Sequence, residues 1–91
     1  GIIIVVLTLD RASGQVLAGP DIVSRGFVYV RGSESLMDEA RRVLEDSVDH
    51  CMDKNITDWG KIKTEIKDSL GEFVWRKTKR RPMIMPIIME V

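Results

Sequence analysis

Two runs at opposite ends of this 91-residue chain constrain its fold more than anything between them. Ile2–Leu9 reads IIIVVLTL and Met83–Val91 reads MIMPIIMEV, and both are apolar at nearly every position instead of every second one. β-Branched enrichment in the first run argues for a strand over a helix, and continuous apolarity fits a strand removed from water on both faces. Loose termini are usually polar, so a chain ending on an apolar run is expected to tie that run into a sheet. The second run is therefore expected to be a strand completing the fold. The cluster before it (Arg76, Lys77, Lys79, Arg80 and Arg81) is expected at the corner where a helix turns into that strand.

Between these runs the punctuation is clear. Asp10 to Gly14 carries turn residues, and Gly14 can take positive φ, so a hairpin is expected there. Gln15–Ala18 and Asp21–Ser24 read as strand with a kink at Gly19-Pro20; a proline cannot donate to a ladder, which points to an edge or a bulge. Phe27–Val30 (FVYV) reads as a further short strand. A helix is expected from Ser33 or Ser35, with Leu36, Ala40, Val43, Leu44, Ser47, Val48 and Cys51 on one stripe and Asn55 as its stop. Thr57 or Asp58 is expected to cap a second helix with the stripe Trp59, Ile62, Ile66, Leu70, Phe73 and Val74. Pro82 ends any helical continuation.

The expected fold is α+β in two layers. A small sheet of about three strands carries two helices on one face, in the order β-β-(β)-α-α-β, as a single domain over residues 1–91. Each helix has one apolar stripe and can cover one side of the sheet only. The other side is left without a cover, and a partner domain or a second copy is expected there. Ile4, Val6, Trp75 and Ile88 are the residues expected at such an interface.

Fourteen basic residues balance fourteen acidic ones, so the chain has no overall charge with which to attract nucleic acid or a membrane. The distribution is uneven: Ser33–Lys54 holds seven acids against three bases, net −4, while Arg76–Arg81 is net +5. One cysteine, Cys51, excludes an internal disulfide and suits a reducing cytosol. The apolar runs are far shorter than a membrane span, and no signal-peptide pattern opens the chain. A start on Gly1 followed at once by strand reads as a piece of a longer protein.

Chemistry is scarce. His50 and Cys51 are adjacent, but a tetrahedral metal site needs three or four ligands, and at helical spacing Cys51 points to the core while His50 turns away. A thiol buried among apolar groups is inert as a nucleophile. The glycines form no phosphate-binding spacing, and the carboxylates of the first helix sit on a solvated face. No cofactor or metal is expected in this chain. Trp75 falls opposite the second helix's stripe, beside Arg76 and Lys79. It could stack on an RNA base, anchor a protein interface, or fold back on the sheet. Trp75, Arg76, Lys79, Arg80 and Arg81 form the candidate RNA-binding set, while the same cations could instead complement the dipole at the helix's C-terminus.

GPDIVSRGFVYVR (Gly19–Arg31) and KTKRRPMIMPIIMEV (to Val91) resemble the C-terminal domain of bacterial ribonuclease J. SESLMDEAR and the DW-led second helix are also similar to that family, so the resemblance covers essentially the whole chain. It implies a parent enzyme of the metallo-β-lactamase type with a β-CASP insert, using two zinc ions to hydrolyse RNA. That enzyme would act as a cytoplasmic 5′-to-3′ exoribonuclease and endoribonuclease in messenger RNA decay and ribosomal RNA maturation. The family's zinc ligands lie in His- and Asp-rich motifs of the catalytic core, and no catalytic or metal residue carries over to this chain. What the resemblance implies here is an appended domain ending at Val91 that supports assembly of a homodimer, a tetramer or a complex with a ribonuclease J paralogue. RNA would be met through the parent enzyme, and the acidic first helix could dock other RNA-decay proteins.

Overall fold

The computed structural model describes residues 1–26 and 33–91. Strands β1 (Ile2–Leu9) and β2 (Val16–Arg25) are followed by helices α1 (Ser33–Asp53) and α2 (Trp59–Thr78) and by strand β3 (Met83–Glu90). The sheet order is β2-β1-β3, with β2 antiparallel and β3 parallel to the central β1. This is the expected two-layer arrangement. The segment Phe27–Val30, expected as a short strand, lies outside the described residues.

The hairpin forms because Asp10 organises its turn. Its Oδ2 accepts from the Ser13 hydroxyl (2.6 Å) and the Ser13 N–H (3.1 Å). The two halves expected of the second strand are one strand, and it needs ten residues to span the eight of β1, with register shifts between Val6 and Leu9. Gly19 makes this bend possible. Its φ is +87°, and a Cβ there would stand 2.5 Å from the Val6 carbonyl oxygen, so only glycine fits. Pro20 follows on an edge strand, as expected of a residue without a donor.

Both helices present the stripes their spacing implies. Leu36, Ala40, Leu44, Val48 and Cys51 of α1 are buried against Ile62, Ile66, Leu70, Phe73 and Val74 of α2. Asn55, with φ +54°, ends α1 in a Schellman motif: its N–H donates to Met52 O and the Ile56 N–H donates to Cys51 O. Asp58 caps α2 by accepting from the Gly60 N–H at 2.8 Å. Trp59 departs from its expected stripe: it is the first residue after that cap and is 37% exposed. The one buried polar side chain described, Ser47, sits 3.2 Å from the Ser69 hydroxyl and ties α1 to α2.

The helices cover one face of the sheet. Ile3, Val5, Leu7 and Leu9 of β1 are buried under them, while Ile2, Ile4, Val6 and Thr8 are half-buried on the other side. The strand expected to be shielded on both faces is thus shielded fully on one.

Candidate functional site

Register determines what lies on the uncovered face. In-register partners on adjacent strands point to the same side of a sheet. Ile4 pairs with Val23 on β2 and with Met85 on β3, giving a row Val23–Ile4–Met85 across the three strands. The rows on either side are Asp21–Val6–Ile87 and Arg25–Ile2–Met83. Among their members Met83 is 63% exposed, Val23 and Met85 are 43% exposed and Ile87 is 38% exposed; Met89, beside Thr8, adds 50%. A soluble monomer rarely leaves so continuous an apolar patch open to water.

Of the residues expected at an interface, Ile4 and Val6 lie on this face, but Ile88 does not. Ile88 is in register with Leu7 and is buried beneath the helices. Its neighbour Ile87 is the residue that faces out. Strand β3 divides its side chains by chemistry: Ile84 and Ile88 pack toward the core, while Met83, Met85 and Met89 take the open side. Unbranched methionine suits a surface that adapts to a partner, and the alternating methionines were the available signal for this phase.

Trp75 and the cations gather at one end of the molecule, where β1 and β3 begin together and Gly1 O accepts from the Met83 N–H at 3.0 Å. Lys79 ends α2 in the left-handed conformation (φ +58°), donating its N–H to Trp75 O. This brings its ammonium to 5.4 Å and the Arg81 guanidinium to 4.4 Å from the Trp75 ring centre. Trp75 is 37% exposed, off the core stripe as expected, and carries its own cations. Arg76 pairs with Glu72 (4.0 Å) and Lys77 with Glu39 on α1 (3.2 Å). Arg76 and Lys77 are the two that also lie in the last turn of α2, where the dipole favours them. Lys79, Arg80 and Arg81 have no ion pair among the described residues.

The opposite end holds an open concavity of about 620 Å³ between the Asp10–Gln15 turn, Met52, Trp59 and Glu90. Two of its three carboxylates are engaged: Asp10 is held below the usual carboxylate range by its two bonds from Ser13, and Glu90 pairs with Arg11 at 3.2 Å, while Asp49 has no ion pair among the described residues. No general acid–base pair results. Cys51 is fully buried, and loss of hydration, with Glu65 nearby, raises its pKa. His50 is exposed on the last turn of α1. Among the described residues no three His, Cys, Asp or Glu side chains come together as a metal site. No described helix is long and apolar enough to cross a membrane.

Sheet and helices define a small two-layer α+β domain with one apolar sheet face exposed. The family model for the ribonuclease J C-terminal domain matches residues 1–91, and the chain belongs to that family. It is 45% identical over all 91 residues to Ribonuclease J2 of Bacillus subtilis and 43% identical to the proteins named Ribonuclease J 2 of Staphylococcus saprophyticus and Staphylococcus aureus. All of this chain is covered in each case, but it spans only 16% of those relatives' length.

Proposed function

We propose that this chain is the assembly domain of a ribonuclease J, joining copies of the enzyme through the open face of its sheet. The catalytic residues lie elsewhere in the longer protein, in a zinc-dependent core that degrades RNA from the 5′ end and also cuts internally. Its setting is cytoplasmic messenger RNA decay and ribosomal RNA maturation. The observation that carries this reading is the run Met83, Met85, Ile87 and Met89, exposed along a strand beside half-buried Ile4 and Val6. Burying that area against a second copy removes apolar surface from water without disturbing the helix-covered core. Sedimentation equilibrium of the chain is expected to give a concentration-dependent dimer that Met85→Glu abolishes and Glu45→Lys, on the exposed side of α1, leaves intact. A strictly monomeric chain, in a parent enzyme whose oligomeric state ignores deletion of this domain, contradicts the proposal.

A second reading rests on Lys79, Arg80 and Arg81, the cations without described ion pairs beside Trp75. They form a small patch for a single-stranded RNA backbone. The Arg81 guanidinium already lies over the Trp75 ring, which weakens the case for base stacking there. Titration of single-stranded RNA across a salt series discriminates. No binding at low salt, or a salt slope unchanged by Arg80→Ala with Arg81→Ala, removes this reading.

A further inference from the structure

The open face carries charge at only two of the positions in its three central rows, Asp21 and Arg25, both exposed and both on β2. They have opposite signs and stand two residues to either side of Val23, whose row runs through Ile4 to Met85. Neither has an ion-pair partner among the described residues. Resting on the assembly reading above, we infer that a second copy of this chain seats its open face on this one about a two-fold axis running along the Val23–Ile4–Met85 row, so that Asp21 meets the partner's Arg25.

Rotation about that row keeps each strand position across the sheet and exchanges the flanking rows. Asp21 then opposes the partner's Arg25, Val6 opposes the partner's Ile2, and Ile87 opposes the partner's Met83. Two-fold symmetry repeats every contact, so the dimer holds two such ion pairs. At about 3.3 Å per residue, Asp21 and Arg25 both lie roughly 7 Å from the axis and come into line. Facing sheets stand about 10 Å apart and cross near 30°, which displaces the pair by a few Å and leaves it within reach of a flexible arginine. An axis parallel to the strands along β1 would instead lay β2 of each copy on β3 of the other, leaving Asp21 and Arg25 against the partner's Ile87 and the partner's Met83 with no opposite charge to meet. Association edge to edge is opposed as well. The two sheet edges carry Pro20 and Pro86, each lacking a ladder donor, and β2 is bent at Gly19.

The area makes this contact weak by itself. Three strands about 4.8 Å apart and eight residues long present roughly 400 Å² per copy, about half of what a stable interface buries on each partner. The isolated chain therefore dimerises only at high concentration, and in the longer enzyme the face adds to contacts made elsewhere.

A charge-reversal cycle tests the register, with dissociation constants measured by sedimentation equilibrium at low salt and folding verified by circular dichroism. Asp21→Arg and Arg25→Asp, each converting two attractive pairs to repulsive ones, are expected to weaken dimerisation about tenfold, and the double reversal to restore it to within about twofold. High salt should shrink the single-variant deficits. Val23→Cys is expected to link to its own copy in the partner through a short bis-maleimide, a contact that only residues on the axis make. If Met85→Glu dissociates the dimer while both single reversals leave it unchanged, or the double reversal fails to restore it, the face is right and this axis is wrong. If Met85→Glu has no effect, the assembly reading fails first.

Discussion

The two faces of one sheet carry similarly apolar side chains and do different work. Ile3, Val5 and Leu7 are at most 1% exposed beneath the helices, whereas Ile2, Ile4 and Val6, one position away on the same strand, have sheet neighbours but no layer above them among the described residues. Strand β3 repeats the contrast between Ile88 and Ile87. Apolar burial on the helix side stabilises the monomer, and under the assembly proposal apolar burial on the other side comes with a second copy. A substitution should therefore change either folding or association, according to its face.

The largest expected effect is on the covered face. Leu7→Ala removes a fully buried side chain at the sheet centre and is expected to cost about 2–5 kcal/mol in denaturant unfolding of the dilute monomer. The sharper comparison is between adjacent residues. Ile88→Ala is expected to cost about 2 kcal/mol or more and Ile87→Ala less than about 1 kcal/mol, measured where the chain is monomeric. At high concentration the order reverses for association, with Ile87→Ala weakening the dimer more. Equal stability losses at these two positions would break the distinction between the faces.

A smaller effect belongs to the turn that both faces share. Ser13 holds the Asp10 carboxyl below its ordinary range, so the folded state favours the ionised form. That contribution is present above about pH 4, the unfolded value, and is lost as pH falls through the lower folded value. Asp10→Ala is expected to lower the melting temperature slightly at pH 7, with the gap closing as the Asp10 carboxyl takes up its proton in acid and the dimerisation constant unchanged throughout. A change in association would mean that the turn does more than hold the hairpin.

Much of this fold is legible in the residues because each helix declares its inner side. Leu36, Ala40, Leu44, Val48 and Cys51 recur at helical spacing among charges, and all five are buried. Trp75, one large aromatic off the stripe of α2, could be placed outside by angle alone. The phase of β3 was not legible in the same way. A strand apolar at successive positions offers no period-two contrast, so Ile88 was expected outside when it lies inside. The methionines at 83, 85 and 89 all take the open side, a contrast that Ile87 among them blurs. Trp59 misled for a different reason: it follows the Asp58 cap directly, where the helix has just begun, and it lines the end concavity. The charged pair Asp21 and Arg25 acquires meaning only through register, which a bend at Gly19 hides from any count along the chain.

The most direct measurement is methyl NMR of the isoleucine, valine and methionine side chains across a dilution series. Signals of Ile4, Val6, Val23, Met85 and Ile87 are expected to move together with concentration along one binding curve, while those of Val5, Ile66 and Ile88 stay fixed. Open-face signals indifferent to concentration up to millimolar levels, or shifts confined to the Trp75 end, would contradict the claim that this sheet keeps one face for itself and the other for its copy.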